Sequence, residues 1–90
     1  MDRVYVGVDL GSSVFNKSTF NAAGAVIVNR FLSTSEMNLR RACADLEGEV
    51  HLHLEAGDLA HWAAAIIQPL VARLVCSHPP DDVWIAKASN

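Results

Sequence analysis

Two acidic residues each end a stretch of alternating apolar residues, and at such positions a carboxylate can bind a metal ion or take part in catalysis. Asp9 follows the alternating valines of residues 4–8, and Glu55 follows the alternation of residues 50–54. Neighbouring carboxylates repel one another unless a positive charge lies between them. Their hard oxygen atoms suit Mg²⁺ or Mn²⁺, ions that assist phosphoryl displacement. The pair therefore predicts a divalent metal site with Asp9 as its central ligand, provided that the fold brings the two residues together.

Three β-rich stretches come first in the chain. Residues 3–10, 14–20 and 25–32 have the alternation and the β-branched content that favour strands. The segment Gly11-Ser12-Ser13 is typical of a turn between the first two, and the segment from Asn21 to Gly24 has the right length for a hairpin between the second and third. The pattern predicts an antiparallel meander.

The periodicity then becomes helical. Ser33 stands three residues before Glu36, which is the spacing of a capping box, and Gly48 supplies a C-terminal stop. The apolar positions between them recur at helical spacing and comprise Leu39, Ala42, Cys43 and Leu46. This segment predicts a first amphipathic helix.

A fourth strand and a second helix follow. In the stretch VHLHLEAG, the apolar residues 50, 52 and 54 lie on one face, and His51, His53 and Glu55 lie on the other. Asp58 is placed to cap the next helix, which Pro69 ends or kinks near Gln68. The apolar stripe predicted for that helix comprises Leu59, Trp62, Ala63, Ile66 and Leu70.

A fifth strand is predicted over residues 72–78, before Pro79 and Pro80. Asp81 or Asp82 is then a candidate start for a final helix through residues 83–86. Helical crossovers between parallel strands are right-handed, so the fourth strand lies beside the first and the sheet order is 3-2-1-4-5. This order places Asp9 and Glu55 side by side at the carboxyl edge, where open α/β sheets bind their ligands.

Composition narrows the class of protein. A chain of 90 residues is long enough for one domain only. Its residues are 51% hydrophobic and 19% charged, and this composition predicts an ordered core. No apolar run reaches the roughly 18 residues of a membrane span and no signal sequence is evident, so we expect a cytoplasmic protein without membrane contact. The net charge of −3 provides no basic surface for nucleic acid. Cys43 and Cys76 have neither the spacing of a CxxC motif nor the density of a disulfide framework, so we expect both to be small buried thiols.

Two further groups could bind ligands. His51, His53 and Glu55 share a strand face and could hold zinc, but a fourth ligand at a regular spacing is lacking, and the remaining histidines are scattered. Arg40 and Arg41 could contact phosphate, although helix arginines are usually solvated. We therefore favour the carboxylate pair as the candidate site.

The residues resemble a known family. The stretch YVGVDLGSS followed by a hairpin, and later LHLEAGDLAHWAAAIIQPLVARLVCSHPPDDVWIAKAS, is similar to the N-terminal part of DEDD-type insertion-sequence transposases, whose catalytic domain is RuvC-like with an RNase H fold. The resemblance covers nearly the whole chain. The family's first aspartate falls on Asp9 and its glutamate on Glu55. Pro79 and the segment Ala86-Lys87-Ala88 are also similar.

The resemblance implies an enzyme of DNA recombination. It implies that the complete protein cuts and joins DNA strands of a mobile element and its target, using Mg²⁺ (or Mn²⁺) held by an acidic cluster. It also implies that a guide RNA directs the reaction and that the protein acts at the nucleoid of a bacterial-type cytoplasm. The family's other two acidic residues and its serine nucleophile come later than Asn90. The chain is thus expected to be an inactive N-terminal piece. A second copy of the chain is a further candidate partner, in a homo-oligomer. Family members often carry a small residue or threonine and then glycine after the glutamate; this chain has Ala56 and Gly57 there and so lacks the hydroxyl.

Two alternatives from other classes stay open. The segment from Asp9 to Ser13 is also similar to the first phosphate loop of actin-like sugar kinases and chaperone ATPases, in which backbone N–H groups and hydroxyls grip phosphates. The short step from Phe31 to Glu36 leaves no room for the insertions that such kinases usually carry. A non-catalytic interaction module with an exposed sheet edge is the other alternative.

Overall fold

The computed structural model describes residues 2–77. Their order is β1 (Arg3–Leu10), β2 (Val14–Phe20), β3 (Val26–Ser33), α1 (Glu36–Ala44), β4 (Glu49–Glu55), α2 (Ala60–Ile67) and β5 (Arg73–Cys76). Single 3-10 turns at Gly57–Leu59 and Gln68–Leu70 flank α2. The final helix predicted from Asp81 or Asp82, and the family-like positions 79 and 86–88, lie outside the described residues.

The five strands form one mixed sheet in the order β3-β2-β1-β4-β5. β1 pairs with β2, and β2 with β3, in antiparallel fashion, whereas β1 with β4 and β4 with β5 are parallel. In the chain, α1 connects β3 to β4, and α2 connects β4 to β5. The predicted α/β architecture and sheet order are confirmed.

Both predicted turns of the meander are present. In the first, the N–H of Gly11 donates to the carbonyl of Val14 at 3.0 Å. In the second, the side-chain oxygen of Asn21 accepts from the N–H groups of Ala23 and Ala25, and Gly24 has a φ of 86°. A bulge between Thr19 and the next residue shifts the register near this turn, and β3 begins and ends one residue later than predicted.

The N-terminus of α1 differs from the predicted capping box. Ser35, not Ser33, caps the helix, and its hydroxyl accepts from the N–H of Asn38 at 3.1 Å. Ser33 is the last residue of β3, where it pairs with Val14. Because Ser33 still belongs to the sheet, the extended N-cap conformation falls two residues later. The helix ends at Ala44, before the predicted stop at Gly48.

The second helix also differs from its prediction. Asp58 lies inside a 3-10 turn and its side chain makes no capping hydrogen bond. Trp62 and Leu70 are exposed by 40% and 38%, respectively, instead of facing the core. The buried side of the helix comprises Ala60, Ala63, Ala64, Ile66 and Ile67. Within residues 2–77, neither helix is long and apolar enough to cross a membrane.

The core lies between one face of the sheet and the two helices. Its fully buried large side chains come from β2, α1, β4, α2 and β5, and they are Phe15, Leu39, Leu54, Ile67 and Leu74. Both cysteines are free thiols; Cys43 is buried as predicted, whereas Cys76 is half-buried. The opposite face of the sheet, here called the open face, is not covered by either helix.

Candidate functional site

Asp9 and Glu55 are brought together by the parallel pairing of β1 and β4. They are Cα partners in the sheet register. Asp9 is the penultimate residue of β1 and Glu55 the last of β4. Each directly follows a buried residue, Val8 or Leu54, and because successive side chains in a strand point to opposite faces, both carboxylates lie on the open face, where both are exposed. The predicted adjacency of the two carboxylates at the carboxyl edge is therefore confirmed as a placement.

A shallow depression of about 210 Å³ surrounds the pair. Its polar lining adds Asn16 and Ser18 from β2 and His53 from β4 to the two carboxylates. Asn16 is the Cα partner of Asp9 on the side opposite Glu55. The depression thus spans three adjacent strands and is lined by side chains that carry both oxygen and nitrogen atoms.

Hydrogen bonds hold the Asn16 amide in one orientation. Its Nδ2 donates to the side-chain oxygen of Asn29 and to the carbonyl of Arg30, the latter at 3.2 Å. Its Oδ1 accepts from the Ser18 hydroxyl at 3.1 Å. These bonds link β2 to the edge strand β3, so the depression continues into a polar strip over both strands.

The carboxylates themselves are uncompensated. Within residues 2–77, neither Asp9 nor Glu55 takes part in a salt bridge or a side-chain hydrogen bond. Hard oxygen donors suit Mg²⁺ or Mn²⁺, so the chemistry of this donor set fits such an ion. The described part of the chain contains no group of three or more His, Cys, Asp or Glu side chains able to hold a metal. Within residues 2–77 the two carboxylates are therefore an uncompensated pair that falls short of a three-ligand metal group.

The two histidines that share a strand face with Glu55 have other partners. His51 contacts Glu49 in the same strand, and this hydrogen bond is the largest of the effects that lower the pKa of the Glu49 carboxyl. His53 contacts the hydroxyl of Ser77, just beyond β5. Because the two rings are engaged in different places, residues 2–77 do not assemble His51, His53 and Glu55 into a metal site.

An apolar groove of about 430 Å³ occupies the other end of the open face. Tyr5, Phe20 and Val75 supply its apolar surface, and the rings of Tyr5 and His51 are tilted at 56° with centroids 5.7 Å apart. Arg73 lies at its border. The groove and the carboxylate depression share Gly7, Phe20 and His53, so the open face changes from apolar to polar along β1.

The two helix arginines lie away from the carboxylates. The Arg40 side chain forms a salt bridge to Glu36 at 2.9 Å, one helical turn earlier. Arg41 is exposed at the end of α1. Helix α1 packs on the face of the sheet opposite the carboxylates, and neither arginine contributes to the depression around them.

The candidate phosphate loop is closed onto its own backbone. The Gly11 N–H is used by the Val14 carbonyl, and a Cβ at Gly11 would lie 2.9 Å from that same oxygen. The Thr34 hydroxyl donates to the Gly11 carbonyl at 2.7 Å, and the Thr34 N–H donates to the carbonyl of Ser13 at 2.9 Å. A loop tied in this way does not direct the Gly11 N–H toward a phosphate.

Sequence reasoning missed Asn16 and its neighbours on β2 and β3. The signal was present in the alternation of β2, which puts Asn16 and Ser18 opposite the buried Phe15 and Lys17. Their approach to Asp9 depends in addition on the hairpin register, which one alternating stretch does not determine.

No family model matches this chain, and no curated protein is significantly similar to it. The function proposed below rests on the residues at the strand ends and on their register.

Proposed function

We propose that the chain is the N-terminal part of an RNase H-like, RuvC-like catalytic domain of a DEDD-type transposase. The complete protein would cleave and join DNA strands with a divalent metal ion held by an acidic cluster. The single observation that supports this proposal most strongly is the in-register pairing of Asp9 with Glu55 at the carboxyl ends of two parallel strands. The sheet order β3-β2-β1-β4-β5 is the second support.

The two carboxylates have a defined chemical role in this proposal. Asp9, in the centre of the sheet with neighbours on both sides, and Glu55 beside it would be the residues that hold a metal ion. A bound divalent ion supplies Lewis acidity for displacement at a phosphodiester. Rigid strands keep both carboxylates in place, which reduces the ordering that metal binding requires. Two ligands hold an ion weakly, so the chain alone is inactive.

The partners follow from the same proposal. The substrates are the DNA of the mobile element and of its target, and a guide RNA selects the target. With a net charge of −3, this chain attracts nucleic acid only weakly, so the basic contacts would come from the remainder of the complete protein.

The metal prediction can be tested on the chain itself. Mn²⁺ binding is measured by electron paramagnetic resonance for the wild type, Asp9→Asn, Glu55→Gln and the control Glu47→Gln. Glu47 is an exposed acidic residue before β4, at the opposite edge of the sheet. We expect both strand-end variants to bind about ten-fold more weakly and the control to bind like the wild type.

The enzymatic part requires the complete gene product. A plasmid assay of element excision and insertion is run with wild type, Asp9→Asn and Glu47→Gln. We expect the Asp9 variant to abolish recombination and the control to retain it. Recombination that survives in the Asp9 variant would contradict the proposal, and so would equal Mn²⁺ affinity in all four chains.

A further inference from the structure

Phe31 lies in one straight row with the two carboxylates on the open face. The sheet register joins Phe31 to Asn16, Asn16 to Asp9, and Asp9 to Glu55. Residues paired laterally in a sheet point to the same face. Phe31 is exposed by 73%, the highest value among the exposed large apolar side chains of residues 2–77. An aromatic ring is thus presented to solvent at one end of a row whose other end is acidic.

The surface between the ring and the carboxylates is polar and held in place. Asn16, Ser18 and Asn29 bond to one another there, and the Asn16 amide is additionally fixed to the Arg30 carbonyl. The apolar groove with Tyr5 lies toward the opposite end of β1. Phe31 is therefore not part of that groove.

The dimensions of the row suit a single nucleic-acid strand. Adjacent strands lie about 4.8 Å apart, so the backbone of Phe31 is about 10 Å from that of Asp9. This is about three nucleotides at the roughly 3.4 Å spacing of stacked bases. Exposed aromatic rings bind single strands by stacking on bases, independently of sequence, while neutral amides and hydroxyls accommodate the backbone without adding charge.

We propose that Phe31 is a base-stacking residue that positions a single DNA strand along the row, with its phosphodiester at Asp9 and Glu55. This inference rests on the proposed function, because the carboxylates repel phosphate until a divalent cation lies between them. Binding is thus expected to need a divalent ion. The bound DNA runs from the edge strand β3 toward β4, across the polar strip.

The test is equilibrium binding of a fluorescein-labelled single-stranded DNA of about 16 nucleotides. Fluorescence anisotropy is measured in Ca²⁺ for the wild type, Phe31→Ala, Phe31→Trp and the matched control Ile27→Ala. Ile27 lies on the same edge strand and is exposed by 60%, but it is far from the carboxylate row. We expect about ten-fold weaker binding for Phe31→Ala, and wild-type binding for Phe31→Trp and for the control.

A second readout reports stacking directly. The fluorescent base 2-aminopurine is moved along the DNA, and its quenching by the wild type should be lost in Phe31→Ala and retained in Phe31→Trp. Equal binding by wild type and Phe31→Ala overturns the inference and leaves the metal proposal standing. If Ile27→Ala weakens DNA binding as much as Phe31→Ala does, the inference is also overturned. It is likewise overturned if Phe31→Ala disrupts a dimer of the chain and leaves DNA binding unchanged. A wild type that binds no DNA in Ca²⁺ overturns the inference, whereas the metal proposal is decided separately by the Mn²⁺ binding experiment.

Discussion

Asp9 and Glu55 are Cα partners in the parallel pairing of β1 and β4, so two like charges lie side by side on the open face. Like charges directly opposite one another on a sheet are destabilising. We predict that Asp9→Asn raises the free energy of unfolding by about 0.5 kcal/mol when divalent ions are chelated. Mg²⁺ should stabilise the wild type more than the variant, because the variant binds the ion about ten-fold more weakly. Urea unfolding with EDTA and with Mg²⁺ measures both effects, and a variant less stable than the wild type in EDTA would contradict the prediction.

Leu54 lies at the centre of the core, one residue before Glu55, and is fully buried. Leu54→Ala is expected to lower the free energy of unfolding by about 3 kcal/mol, because it removes buried methyl groups and leaves a cavity. Val75→Ala, on the neighbouring strand and 39% exposed, is the control and should cost less than about 1 kcal/mol. Chemical denaturation compares the two. Equal losses would show that Leu54 is not a core residue.

The two cysteines should react at very different rates. Burial raises the pKa of the Cys43 thiol to about 11, and it raises the pKa of the less buried Cys76. The thiolate is the reactive form, so Cys43 should react with Ellman's reagent at pH 8 only when the chain unfolds. We expect one fast thiol in the native protein and two in urea. In Cys76→Ser the fast reaction should disappear, and its persistence would assign it to Cys43.

Lys17 is a buried cation on the core side of β2, exposed by 7%. Burial lowers the pKa of its amine more than the nearby Asp45 raises it. The unfolded chain therefore binds more protons between the lowered pKa and the ordinary value of about 10.4, and stability from this group rises with pH in that window. We predict that Lys17→Met is about 1 kcal/mol more stable at pH 7 and that this gain shrinks toward pH 10.

The Cys43 thiol acts in the opposite direction, because burial raises its pKa in the fold, and the Lys17 charge itself lowers that pKa. Both proteins are therefore compared in a Cys43→Ala background, so that the difference between them reports the lysine. Thermal unfolding of both proteins from pH 7 to pH 10 measures the difference. A gain that is constant over this range would contradict the prediction.

Gly48 connects α1 to β4 with a φ of 107°, and a Cβ there would lie 2.5 Å from the Asp2 carbonyl oxygen. Gly48→Ala combines backbone strain with a clash and is expected to cost about 3 kcal/mol. Gly24 also has a positive φ, of 86°, but a Cβ there would meet nothing within 4 Å. Gly24→Ala should cost about 1 kcal/mol. Equal costs, measured by urea denaturation, would exclude the clash with Asp2.

Much of the fold is predictable because it depends on local periodicity and on chain handedness. The alternation of residues 3–10 and 50–54 identifies which side chains are buried, and the right-handed crossover orders the strands. The adjacency of Asp9 and Glu55 follows from these two facts. The proposed RNase H-like assignment goes beyond them and awaits the metal and recombination experiments.

Features that depend on where strand pairing stops are not predictable in this way. Ser33 and Ser35 are equally good caps by residue type, and the hydrogen bonds of β3 to β2 leave only Ser35 for the helix. Similarly, Trp62 has the right spacing for the buried stripe, but it is exposed by 40%, and small alanines occupy much of the buried side of α2 instead.

The sequence by itself determined the five strands, the two helices, the sheet order and the two neighbouring carboxylates, since apolar periodicity and crossover handedness act along the chain. Only the tertiary structure decided the helix caps, the buried side of α2 and the row that joins Phe31 and Asn16 to Asp9. That row depends on the register of three strands at once. Register arises from turn hydrogen bonds and from packing between distant segments, which no single stretch of sequence contains.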